Sequence, residues 1–250
     1  MNNRRQFLKN ASLGGLLAIN IPGIVSAAYG PERTKKIHLQ KEDVILFQGD
    51  SITDAHRKKE DQSPNSPAGL GNGYPVLAAA GLLKRYPGMN LHIYNKGISG
   101  NKVYQLAERW DADCLDIKPT VLSILVGVND FWHTLVNGYK GTLKTYQDDY
   151  KALLDRTKQK LPEVKLIIGE PYALIGVKAV DASWYPAFND YRAAAREIAG
   201  SYGAVFIPYQ DIYEKALQFA PGSYWTLDGV HPSLAGAELM AQAWMMAVAP

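Results

Sequence analysis

Five short apolar runs, each followed by a stretch long enough for a helix, constrain this chain more than any other feature. The runs are Val44–Phe47, Leu91–Tyr94, Val121–Val126, Val164–Ile168 and Ala204–Ile207. They are often β-branched and mostly lack polar–apolar alternation, which is how strands buried on both faces read. Helix-length segments at Tyr74–Arg85, Lys102–Leu115, Thr142–Lys160, Pro186–Tyr202 and Pro232–Val248 alternate with them. Repeated strand–helix order calls for right-handed crossovers and a parallel sheet covered by helices, an α/β fold. With 250 residues, 47% of them hydrophobic, the chain can bury one sizeable core.

The start of the chain reads differently. Arg4-Arg5-Gln6-Phe7-Leu8-Lys9 precedes a modest apolar run from Ala11 to Val25, which ends in the small residues Ser26, Ala27 and Ala28. A basic start, a short apolar segment and small residues at its end make an export signal over residues 1–28, cleaved near Ala27 or Ala28. The paired arginines resemble a twin-arginine signal. The run is too short and too rich in Gly and Asn to span a bilayer comfortably. Residues 29–41 read as a polar linker and 42–250 as the folded domain, periplasmic or extracellular. The signal carries three of the 27 Lys and Arg and none of the 24 acids. The remainder is therefore close to neutral, and nothing in it points to nucleic acid or to an anionic membrane. Cys114 is the single cysteine, so an intramolecular disulfide is excluded, and its acidic neighbours suit a structural thiol.

Ligands of open parallel sheets bind beyond the carboxyl ends of the strands. Small and polar residues gather there: Gly49-Asp50-Ser51, then Asn95 to Asn101, then Gly127-Val128-Asn129-Asp130, then Glu170-Pro171-Tyr172. The segment Asp54–Gly73 is a long polar insertion, and loops of that length in a compact domain are usually functional. Acyl transfer needs a nucleophile, a base, an orienter for the base and donors for the oxyanion. Ser51 follows a strand and a glycine. Asp228-Gly229-Val230-His231-Pro232 offers a carboxylate and a base on one loop, with Pro232 suited to the first turn of the last helix. Asn129 and Gly100 fall where oxyanion donors are needed. Taken singly, each string is equally good turn or cap chemistry.

Together they resemble the SGNH (GDSL-type) hydrolases. Gly49-Asp50-Ser51-Ile52-Thr53, Gly97-Ile98-Ser99-Gly100-Asn101, Gly127-Val128-Asn129-Asp130 and Asp228-x-x-His231-Pro232 match that superfamily's four blocks in order, across Val44 to Val248. The resemblance implies a three-layer α/β/α sandwich on a mainly five-stranded parallel sheet of flavodoxin-like type. It implies Ser51 as nucleophile, His231 as base and Asp228 as its orienter. The oxyanion hole would comprise the Ser51 and Gly100 N–H groups and the Asn129 amide. No metal or organic cofactor is expected, and Asp130 is read as a brace for the Asn129 loop. His56 and His133 are read as exposed loop histidines.

For the substrate, aromatic residues in loops or near helix starts suggest stacking on sugar rings: Trp132, Tyr172, Trp184, Tyr185, Tyr224 and Trp225, about half of them facing the pocket. Asp50, Trp132, Tyr172 and Trp225 are the candidate substrate contacts. A polar insertion argues against a long acyl channel. The expectation is a serine esterase removing a small acyl group, acetyl first, from a carbohydrate or other small-molecule ester. A lysophospholipase or thioesterase of the same superfamily is the rival reading. A catalytically inactive carbohydrate-binding relative is another, against which stand competent residues at every catalytic position.

Overall fold

The structure is a computed structural model and describes residues 21–29 and 35–250. The chain runs α1 (Ile21–Tyr29), β1 (Ile37–His38), β2 (Val44–Gly49), α2 (Ser51–Asp54), α3 (Pro67–Leu70), α4 (Tyr74–Arg85) and β3 (His92–Asn95). It continues with α5 (Val103–Glu108), β4 (Val121–Leu125), α6 (Val128–Val136), α7 (Leu143–Lys160), β5 (Lys165–Gly169), α8 (Phe188–Ser201) and β6 (Val205–Ile207). It closes with α9 (Tyr209–Ala216), α10 (Gly222–Trp225), α11 (Leu234–Met246) and β7 (Val248–Ala249).

The five expected strands form one fully parallel sheet in the order β3-β2-β4-β5-β6. β4 is buried at all five positions, as its unbroken apolar run requires. Side-chain alternation divides the two faces. Phe47 and its register partner Ser123 point to the α4–α11 side, where Phe47 meets Tyr74 and Trp244 and Ser123 accepts from the Trp244 indole at 2.9 Å. Gln48 points the other way and donates to the Asp113 carbonyl at 2.7 Å. α5, α7 and α8 pack together on that side.

Four features differ from expectation. The helix over Lys102–Leu115 breaks into α5 and a π-helical turn at Asp111–Leu115. α6 occupies a stretch read as loop. The expected linker contributes β1, which pairs in parallel with β7 through Ile37↔Val248 and His38↔Ala249; Ile37 and Leu39 are buried. Arg4, Arg5 and most of the expected signal lie outside the described residues. Its end, however, forms α1, which packs on α9 and α11 with Ile24 and Val25 buried and the Tyr29 hydroxyl donating to the Ala243 carbonyl at 2.7 Å. Among the described residues no helix is long and apolar enough to cross a membrane.

β2 has β3 on one side and β4 on the other, so the chain reverses its direction of travel across the sheet after β3. A crevice opens at such a switch point, beyond the carboxyl end of β2. Ser51 stands there.

Candidate active site

β2 ends at Gly49, where a side chain is impossible: a Cβ there would lie 2.2 Å from the Leu125 carbonyl oxygen of β4. The chain then turns into the four-residue α2. Asp50 caps it, its carboxylate accepting from the Ile52 N–H at 3.0 Å. Ser51 occupies the first helical position, whose N–H has no acceptor within the helix.

Across the crevice, the loop before α11 presents Asp228 and His231. The Ser51 hydroxyl lies 2.8 Å from His231 Nε2, and His231 Nδ1 lies 2.7 Å from Asp228 Oδ2. A carboxylate only accepts, so Nδ1–H donates to Asp228, and neutral Nε2 is left to accept from Ser51. The second Asp228 oxygen accepts from the Val230 and His231 N–H groups at 2.9 and 2.8 Å, which fixes the loop. Burial works against the Asp228 charge. The hydrogen bonds from the His231 ring and from the two N–H groups outweigh it and hold the carboxyl at about 2. The hydrogen bond to Asp228 raises the His231 pKa above its ordinary value, against the opposing effect of burial.

Gly100 and Asn129 border the same cavity as Ser51. Gly100 has φ +81°, a conformation natural only to glycine, and among the described residues nothing accepts its N–H. Asn129 sits in the first turn of α6, and its amide donates to the Asn101 carbonyl at 3.2 Å, leaving a second N–H. The Lys96–Asn101 loop is held from several directions. Arg57 donates to the Gly97 carbonyl at 2.9 Å, Arg109 donates to the Lys96 carbonyl at 2.7 Å and the Asn101 side chain at 2.8 Å, and the Asn95 side chain accepts from Gly97 N–H at 2.8 Å. Asp54, the last residue of α2, accepts from both the N–H and the hydroxyl of Ser99 at 2.9 Å each. The helix that carries Ser51 therefore also anchors the Gly100 loop, a role for Asp54 that the sequence reading missed. Asp130 accepts from the Val103 N–H at 3.2 Å and ties α6 to the start of α5. Burial raises the pKa of Asp130, and likewise that of Asp50, to about 7.

The cavity measures about 630 Å³. Trp132 forms part of its wall, with its ring centroid 6.2 Å from that of His231. The other candidate substrate contacts lie elsewhere. Asp50 is wholly buried beneath α2, where its side chain serves as the cap. Tyr172 is wholly buried against Tyr213, with its hydroxyl on Met240 Sδ. Trp225 is buried, and its indole donates to the Ala216 and Ala220 carbonyls. Trp184 is buried behind Trp132 at 5.6 Å, and neither Tyr185 nor the exposed Tyr224 borders the cavity. Of the six aromatics, only Trp132 faces it.

Several lining side chains were not anticipated. Leu227 and Leu234 stand on the rim, 58% and 76% exposed. His133, read as an exposed loop residue, is on α6 one turn beyond Asn129 and half-buried in the wall; His56 is exposed but also borders the cavity. Pro232 precedes the last helix, which starts at Leu234 with Ser233 as its cap. Cys114 is buried, and burial pushes its thiol up to about 12. Among the described residues no cluster of side chains is placed to hold a metal.

The family model of the GDSL-like lipases/acylhydrolases matches residues 47–239. An acetylxylan esterase from Geobacillus stearothermophilus is 32% identical over 204 residues, covering 80% of this chain and 91% of that one. A solved structure of that esterase superposes with a TM-score of 0.74 at 29% identity, over 82% of this chain and 94% of the other. A structure described as a GDSL-like lipase from Parabacteroides merdae gives a TM-score of 0.84 at 49% identity, over 85% and 98%. Variants of the Geobacillus esterase described as catalytic mutants replace a serine, an aspartate and a histidine, the last two three positions apart.

Proposed function

The chain belongs to the GDSL-like lipase/acylhydrolase family and is a carboxylic ester hydrolase, and we propose that it removes acetyl groups from carbohydrate through an acyl-serine intermediate. The observation that carries the mechanism is the unbroken hydrogen-bond chain from Ser51 to His231 to Asp228. The spacing of Asp228 and His231 equals that of the aspartate and histidine replaced in the relative's catalytic mutants. The substrate reading is supported by the acetylxylan esterase relative. It is also supported by the cavity's volume of about 630 Å³, which is room enough for a sugar ring beside Ser51.

In this reading His231 Nε2 takes the Ser51 proton as Oγ attacks the ester carbonyl. The Ser51 and Gly100 N–H groups and the free N–H of the Asn129 amide receive the oxyanion. The tetrahedral species collapses, His231 returns its proton to the departing alcohol, and an acetyl-serine remains. Water then attacks that ester, giving its proton to His231; collapse frees acetate and restores the Ser51 hydroxyl.

One observation favours a second reading. Leu227 and Leu234 expose apolar surface at the rim, and a longer acyl chain could lie there as in a lysophospholipase. A solved variant of the acetylxylan esterase replaces the tryptophan just before its aspartate, whereas Leu227 precedes Asp228 here. A p-nitrophenyl ester series from acetate to decanoate, run beside acetylated xylo-oligosaccharides, decides between the two. The acetyl reading expects the highest kcat/KM on acetate and release of acetate from the oligosaccharides. A maximum at octanoate or beyond, with inert oligosaccharides, overturns it.

We also propose export with loss of residues 1–28. No residue of α1 borders the catalytic cavity, so its removal would leave the site untouched. Intact mass of the protein from its native host should give a start near Ala28 or Tyr29, and a chain beginning at Met1 or Asn2 refutes the proposal.

A further inference from the structure

His133 is a polar side chain in the cavity wall for which the hydrolytic chemistry has no use. It lies one helical turn beyond Asn129, on the same face of α6. A Cβ on Gly100 would stand 4.0 Å from its Cε1, so the ring adjoins the oxyanion donors. Trp132 flanks it at 6.5 Å between ring centroids. Neither ring nitrogen has a hydrogen-bond partner among the described residues. Neither nitrogen is among the buried polar atoms left without a partner, so both are open to the cavity and available to a ligand. Burial, and secondarily the Lys102 ammonium, lower its pKa below the ordinary value, so the ring is neutral at physiological pH. Neutral imidazole carries one donor and one acceptor, which is what a hydroxyl group satisfies and a carboxylate does not.

Ester geometry supplies the remaining step. Esters adopt the Z conformation, in which the alcohol carbon lies on the same side as the carbonyl oxygen. With that oxygen in the hole formed by Ser51, Gly100 and Asn129, a hydroxyl on the neighbouring sugar carbon is carried towards the side where His133 stands. Building on the acetyl-carbohydrate reading, we propose that His133 is a specificity residue that hydrogen-bonds the free hydroxyl vicinal to the acetylated carbon. The enzyme would thereby favour partly acetylated sugars over esters lacking a neighbouring hydroxyl.

The test compares methyl 2-O-acetyl-β-xylopyranoside with its 3-deoxy analogue, taking the ratio of kcat/KM within each enzyme so that the folded fraction cancels. Wild type should favour the hydroxylated substrate roughly tenfold, the worth of one neutral hydrogen bond to substrate. His133→Ala should bring the ratio close to one, and His133→Gln, which keeps a donor and an acceptor, should retain most of it. A wild-type ratio near one, or a His133→Ala ratio equal to wild type, overturns the assignment while leaving the acetyl-carbohydrate reading intact. A wild type that cleaves p-nitrophenyl acetate but neither glycoside overturns that reading and the role of His133 with it.

Discussion

A serine hydroxyl is a poor nucleophile at neutral pH, so what distinguishes Ser51 from other serines is the imidazole of His231 2.8 Å away. Ser51→Ala should lower turnover on the order of 10⁴-fold or more while the circular dichroism spectrum stays that of wild type; residual activity within tenfold would exclude Ser51 as nucleophile. Asn129→Ala removes a donor whose partner is charged only in the transition state. Its kcat should fall about 10²- to 10³-fold with little change in KM, and a raised KM at normal kcat would make Asn129 a substrate ligand instead. The pH profile follows from His231. The ring must be neutral to act as base, and its pKa is raised, so the acid limb of kcat/KM should lie above the ordinary histidine value of about 6.5. Asp228→Asn removes the chief upward influence and should move that limb to lower pH as kcat falls. The stability sign differs for the two partners. What His231 contributes is present at acid pH and fades as pH rises through its folded pKa. What Asp228 contributes is lost only as pH falls through about 2. Acid should therefore silence the enzyme well before this pair unfolds it, which kcat/KM and circular dichroism measured at the same pH values would reveal. That Ser51, Asp228 and His231 come together was legible because each lies at a strand end or a helix approach in a recurring string. Tyr172 and Trp225 were misread because an aromatic beside a loop packs inward or outward according to tertiary neighbours that no local pattern records.

At the scale of elements, α2 carries Ser51 at one end and holds the opposite wall of the site at the other. Its four residues cannot be stable alone; burial of Ile52, Thr53 and Asp54 keeps it in place. The two hydrogen bonds from Ser99 to Asp54 join it to the Gly100 loop. Asp54→Ala should let that loop drift, lowering kcat at least about tenfold, since a displacement near 1 Å already costs that much or more. KM for a small acetate should move far less, and a variant with wild-type kcat would show that the loop is held without Asp54. The strands were readable from their apolar runs, and Tyr74–Arg85 was readable as a helix to the residue. α6 was not, because Gly127 and Asn129-Asp130 are turn residues by propensity while tertiary packing buries Val128 to Phe131 as a helix. With α6 unrecognised, the one-turn relation of His133 to Asn129 stayed hidden. The break after Glu108 was equally invisible, since the 102–115 pattern continues through the π-helical turn.

For the molecule as a whole, repeated strand–helix order led correctly to a parallel sheet between helical layers. The pairing of β1 with β7 was beyond reach, because two-residue strands leave no periodicity to read. That small pairing places residue 37 beside residue 248, in a chain whose hydrogen-bonded Ser51 and His231 are 180 positions apart. The backbone is thus very nearly a closed ring, and the catalytic hydrogen bonds do not depend on where the ring is cut. A circular permutant should exploit this. Joining residue 250 to residue 37 through a few glycines and opening the chain between Pro162 and Glu163, both exposed and at the strand-entering side of the sheet remote from Ser51, should give an esterase with kcat within a few-fold of the parent. Its nucleophile and base would then be separated by only a few dozen residues of sequence, so the order in which the two halves of the site leave the ribosome would be reversed without altering the site itself.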